Sequence, residues 1–351
     1  MKSIKYILSG ILLLIATCVN SQTVYYNFSF LIGATLHTVN NATYTTSAVT
    51  TPNNSSVTVL RWTNNDWSSS TKTAIRGYWE GRHSGITFLS EATVKYNCHA
   101  WAWDNGNTWD WMNQQPYDYW NDDSYILLPS STGATKVWYG ASADHSAITT
   151  STTNVVTSKW GIMGPRFTHN INNSPYLTTD LSYYVLGIDG PKDIYYSNAS
   201  YTSASYTLNS ALATGTVNWS VSPIGSFSVS SSTGTSTKIV KNSSASSGTV
   251  TLTATVGSKT YTKKITAYYV DMDGPVIVYG PYTVGYTLPI ITGATYYWES
   301  RNDFLQLTSA NGVASVSFHA PYTLLPVKDV VECTVTINGI QTCFSKNVTI
   351  Y

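Results

Sequence analysis

The stretch Tyr96-Asn97-Cys98-His99-Ala100-Trp101-Ala102-Trp103 holds the one cysteine of the mature sequence with no obvious partner. An unpaired thiol is a candidate nucleophile where the chain also supplies a base. Asp144-His145-Ser146-Ala147-Ile148, about fifty residues downstream, offers that base in His145. The chemistry of such a pair is attack of a Cys98 thiolate on a carbonyl carbon, with His145 taking the thiol proton and then donating it to the leaving group. The bland alternative is a small buried cysteine and a histidine that satisfies a carbonyl.

To act together, the two residues must sit on elements that face each other. Asn97 is a natural N-cap, so Cys98 opens a helix that the turn cluster Asp104-Asn105-Gly106-Asn107 ends. At that position free backbone N–H groups and the helix dipole favour thiolate. Strands are expected over residues 136–139, 145–150 and 154–160, separated by a turn at 140–143. A helix carrying Cys98 followed by antiparallel strands carrying His145 makes an α+β arrangement. His99 then points away from the pair, Asp144 faces the opposite side of its strand from His145, and His169 falls on a solvated loop. Residues 105–124 form a long aromatic segment expected to be a functional loop or lid. Trp101, Trp109 and Trp120 are the tryptophans placed against a substrate, because an indole buries much area at small entropic cost.

The remainder of the chain bounds where this chemistry would happen. Lys2 and Lys5, an apolar run over 6–16 and the small residues before Gln22 have the order of a secretory leader, cleaved near Ser21. Lipidation at Cys18 is disfavoured by Thr17 immediately before it. No later segment approaches the length of a membrane span. The expected location is secreted or at the cell surface. A net charge of +1 with 11% charged residues gives no basis for nucleic-acid binding. No zinc-spaced His/Cys set or phosphate loop occurs, the acidic residues near Asp104 lack calcium spacing, and no cofactor is expected.

Ten of the twelve tryptophans lie between Trp62 and Trp160, which sets that region apart from the C-terminal half. From Gln22 to about Ser90 the pattern is irregular: 43–54 has loop composition, Ser56 to Trp62 alternates like a strand, and 72–81 reads as a short helix or turn. After residue 187 an internal repeat of about eighty residues emerges. Thr216 to Ser220 matches Thr295 to Glu299, Phe227 to Ser230 matches Phe304 to Leu307, and Val250 to Val256 matches Val331 to Ile337. Each repeat has one Trp followed by alternating strands, so each resembles an immunoglobulin-like sandwich. Cys333 and Cys343 flank the Asn338-Gly339 turn of the last hairpin. A two-residue turn points them to opposite faces, yet export favours a disulfide between them.

Asn97 to Trp103, Asp144 to Ile148 and Ser158-Lys159-Trp160-Gly161 together resemble an outlying branch of the NlpC/P60 and CHAP papain-like amidases, over roughly residues 55–180. The resemblance implies an α+β papain-like domain, Cys98 as nucleophile, His145 as base and Ser158 in the third position. Ser158 accepts a hydrogen bond only weakly and Lys159 not at all, which departs from the pattern.

The expected organisation is a leader over 1–21, a papain-like domain over 22–187, and immunoglobulin-like domains over 192–270 and 273–351. The expected function is an exported cysteine amidase or peptidase acting on peptide or peptidoglycan. The alternative is a non-catalytic cell-surface protein that binds glycan or protein, including through the immunoglobulin-like domains.

Overall fold

The structure is a computed structural model that describes residues 22–112, 115–197, 200–202, 204–242 and 247–351. The expected leader and Cys18 lie outside the described residues.

The first unit opens with three long antiparallel strands, β1 (Thr23–Ile32), β2 (Thr35–Thr50) and β3 (Ser56–Asn64). Six of the sixteen residues of β2 are Thr and two are Val, so residues 43–50 continue a strand where loop was expected; β-branched side chains favour a pleated surface over a free loop. Helix α1 (Ser69–Glu80) comes next, capped by the Ser68 hydroxyl, which accepts from Thr71 N–H. The chain then forms β4 (Thr87–Ser90), α2 (Cys98–Trp103), β5 (Asp110–Met112), α3 (Asp118–Asn121), β6 (Tyr125–Leu128), β7 (Lys136–Trp138), α4 (Gly140–Ala143), β8 (Ser146–Thr149), β9 (Val155–Lys159), β10 (Arg166–Asn170) and β11 (Ser182–Leu186).

These strands make two sheets, one ordered β1-β2-β3-β5 and one ordered β4-β10-β9-β8-β7-β11-β6. Helix α2 packs on β5 of the first and on β8 and β9 of the second. It is therefore enclosed between sheets, and all six of its residues are buried. The α+β papain-like domain expected from the sequence is not what the chain builds. Among the described residues the helices are four, three of them only four to six residues long, and the unit is nearly all β. A six-residue helix makes under two turns and cannot form the helical layer of an α+β domain.

Two further pairs of sheets complete the chain. In the first pair, Ile188–Asp189, Ser205–Leu208, Ser236–Lys241 and Phe227–Val229 face Asp193–Tyr196, Lys259–Tyr269, Gly248–Val256 and Val217–Ser222 across a core with Tyr206, Trp219, Leu252 and Ile265. The strict in-out alternation of Val217–Ser222 is the two-residue period that buries one face. In the second pair, Val327–Ile337 and Ile340–Ile350 form the main hairpin beside Thr295–Ser300, opposite Thr283–Thr287 and Ser315–His319. The sequence repeat has a structural counterpart. The Trp219 indole donates to Gly234 O at 2.6 Å and the Trp298 indole donates to Val313 O at 2.8 Å, each fifteen residues downstream.

The first unit is fastened to the first sandwich through the 51–55 turn. Asn53 Nδ2 donates to Thr262 O at 3.1 Å, Asn54 Nδ2 to Lys192 O at 3.0 Å, and the buried Lys263 Nζ to Pro52 O at 3.0 Å. Burial pushes the Lys263 amine down to about 8.

Candidate functional site

Asn97 begins the site as the expected cap. Its Oδ1 accepts from Ala100 N at 3.0 Å and from Met112 N at 3.3 Å, while its Nδ2 donates to Met112 O at 2.7 Å. One side chain thus caps α2 and pins it to β5. Cys98 is the first helical residue, 3% exposed. Burial pushes its thiol up to about 11, against the opposing pull of the Ser146 and His99 N–H groups and of Lys159. The helix start that was expected to favour thiolate is present, but removal of water outweighs it.

His145 lies between the αL residue Asp144, which ends α4, and the start of β8. Its ring is fully buried, and neither ring nitrogen has a hydrogen-bond partner among the described residues. The Tyr176 ring stacks on it at 3.5 Å and 7°, and Tyr139 meets it edge-on at 4.9 Å. Burial, and then the charges of His99, His169 and Lys159, hold the imidazole well below its usual range. A neutral thiol and a neutral imidazole with no hydrogen bond between them are not an ion pair poised for attack.

Ser158 is brought to a different histidine. Its Oγ lies 2.8 Å from His169 Nε2, and His169 Nδ1 donates to Asn170 O at 2.8 Å. His169 is therefore a buried strand residue of β10 and not a solvated loop histidine. Lys159 is fully buried and donates to Gly161 O, Ile162 O and Gly164 O at 2.9–3.0 Å. Burial draws its amine down to about 7, while those carbonyls and the Tyr96 ring face at 5.1 Å favour the ammonium.

His99 and Asp144, which residue order alone directs away from the Cys98–His145 pair, form the best-satisfied polar network here. His99 Nδ1 lies 2.8 Å from Ser146 Oγ and Nε2 3.1 Å from Asp144 Oδ1, and the Trp103 indole donates to Ser146 Oγ at 2.9 Å. Asp144 is thus a partner of His99, which holds its carboxyl below the usual range. Tyr176 carried no sequence signal. Its position over His145 comes from the 171–181 connection folding back across the sheet.

Of the three tryptophans assigned to a substrate, Trp101 is a core residue with Arg166 over its ring at 5.2 Å. Trp120 packs among Trp103, Trp138 and Tyr184. Residues 115–124 are therefore packed structure and not a lid. Trp109 is 52% exposed and lies beside Trp62 at 5.6 Å. Cys333 and Cys343 form no disulfide with each other, against the expected bond, and the Cys343 thiol lies 3.9 Å from Glu332 Oε1. Cys333 opposes Phe344 and Cys343 opposes Thr334, a register with a plain turn that sends the sulfurs to opposite faces. Among the described residues no His/Cys/Asp/Glu group could hold a metal, and no helix is long and apolar enough to cross a membrane.

No family model matches the chain, and no curated protein matches it. The chain is similar to S-layer protein SbsC, domains 5-6, at 13% identity over 47% of this chain and 96% of that one, with a TM-score of 0.19. It is similar to the Yersinia pseudotuberculosis adhesin InvE at 16% identity over 46% and 58% of the two chains, TM-score 0.17. It is similar to the titin domains z1z2 at 12% identity over 48% and 98%, TM-score 0.19. At such TM-scores none of these likenesses carries an argument about this chain. The NlpC/P60 and CHAP resemblance is corrected by the fold itself, together with the hydrolase reading attached to it. Its three motifs do fall near one another, but on a nearly all-β unit that seals the sulfur between two sheets.

Proposed function

We propose that this chain is a non-catalytic cell-surface protein that binds glycan or protein, with a first unit over 22–187 and sandwiches over 192–270 and 273–351. The observation that carries the reading is the sealed state of Cys98. The thiol is 3% exposed and is pushed up to about 11, and His145, the expected base, makes no hydrogen bond through either ring nitrogen among the described residues. The aromatic wealth of the first unit then serves packing and display. Its rings fill the core between the sheets, and Trp62 and Trp109 stand at the surface. The leader-like N-terminus and the two sandwiches support a surface location, the sandwiches acting as a stalk for the first unit.

The test compares wild type with Cys98→Ala. Peptide and peptidoglycan amide substrates should remain uncut by both proteins, while binding to glycans or to surface proteins should be equal. Wild-type cleavage that disappears in Cys98→Ala would overturn the reading.

A further inference from the structure

We propose that the groove beside Trp62 and Trp109 is a binding site for a neutral pyranose glycan; this rests on the binding-protein reading and gives it a ligand class. Trp62 on β3 and Trp109 are cross-strand neighbours joined by a Trp62 N–H to Trp109 O bond of 2.9 Å, with ring centroids 5.6 Å apart and tilted 40°. Lys95 Nζ sits over both rings at 4.2 and 4.7 Å, which holds the pair in place at the surface. An open groove of 560 Å³ runs along them, lined also by Arg61, Asp104, Asn105 and Asn107.

The polar wall is set before any ligand arrives. Arg61 makes a two-pronged pair with Asp110, Nε to Oδ1 and Nη2 to Oδ2, both at 2.9 Å. Asn107 Nδ2 bridges Asp104 Oδ2 at 2.7 Å and Asp110 Oδ2 at 2.8 Å, and its Oδ1 accepts from Trp109 N–H at 2.8 Å. Among the described residues this leaves Asp104 Oδ1, Arg61 Nη1 and the Asn105 amide without a protein hydrogen bond. Acceptor, donor and amide beside an indole match vicinal hydroxyls above an apolar ring face.

Charge selects among glycans. Arg61 and Lys95 balance Asp110 and Asp104, so the groove carries no net charge to draw in an anionic sugar, while the free Asp104 Oδ1 accepts from a hydroxyl of a neutral one.

The probes are the neutral hexasaccharides of cellulose, chitin, xylan and mannan, with hexagalacturonate as the charged comparator, read by titration calorimetry and tryptophan fluorescence. At least one neutral probe should bind wild type. Trp109→Ala should weaken it about tenfold or more and Asp104→Ala by a similar factor, while Cys98→Ala should leave it unchanged. Trp109 is exposed, so its removal leaves the core intact, and Trp109→Phe should restore part of the affinity. No binding of any neutral probe at about 1 mM would overturn the inference. So would tighter binding of hexagalacturonate. Neutral binding indifferent to Trp109→Ala and Trp62→Ala would overturn it while leaving the binding-protein reading standing; amide cleavage dependent on Cys98 would remove that reading instead.

Discussion

The Cys98 thiol is predicted to be inert at neutral pH, and the size of the effect can be worked from its surroundings. An ordinary thiol at 9.0 is about 3% ionised at pH 7.5, whereas one at about 11 is about 0.03% ionised. Ionisation alone therefore slows alkylation about a hundredfold. Occlusion between β5, β8 and β9 slows it further. The assay is iodoacetamide labelling across a pH series, quantified on the Cys98 peptide by mass spectrometry, with urea-unfolded protein as reference. The native rate at pH 7.5 should lie at least about a hundredfold below the unfolded one and should rise with pH without a plateau below pH 10. A plateau below pH 8, or a rate within tenfold of the unfolded thiol, would show that Cys98 is reactive in the folded protein. The same shift has a stability consequence. Because the folded thiol keeps its proton longer than the unfolded one, the protonated form contributes about 3 kcal/mol below pH 9, and this is lost as pH rises toward about 11. Cys98→Ala should remove that part of the alkaline slope.

Tyr176→Ala removes the ring stacked on His145 and should speed Cys98 labelling about tenfold or more; an unchanged rate would mean that another element does the sealing. Asn97→Ala deletes the α2 cap and both links to Met112, with an expected loss of about 2–3 kcal/mol in denaturant unfolding, far above a surface substitution. Oxidised protein analysed by intact mass should show no loss of two hydrogens from a Cys333–Cys343 bond, since the register holds the sulfurs on opposite faces. Arg61→Ala should cost about 2 kcal/mol by thermal melt, because Asp110, whose side chain is fully buried, is left with Asn107 as its remaining side-chain donor.

Much of the local structure was legible in residue order. The Asn97 cap, the helix that begins at Cys98, the turn at Asp104, the three strands around His145 and the recurrence of Trp219 as Trp298 each rest on short-range rules: an amide that satisfies orphan N–H groups, a glycine or asparagine at positive φ, a two-residue alternation. Even the opposite facing of Cys333 and Cys343 comes from counting residues around a tight turn.

The surroundings of those elements depended on tertiary packing. Whether a thiol at a helix start is acid or inert is decided by the second sheet that covers it, and that sheet is assembled from β1, β2, β3 and β5, in part from residues that read as loop. Ser158 met His169 and not His145, His99 found Asp144 and Ser146, and Tyr176 arrived over His145 from thirty-one residues away. Sequence alone determined which residues open helices, turn chains and alternate across strands, because those preferences are set by neighbours a few bonds away. Only the fold decided which side chains lose water and which remain exposed, because desolvation depends on everything packed around an atom, and that balance separates a reactive Cys98 from a buried one.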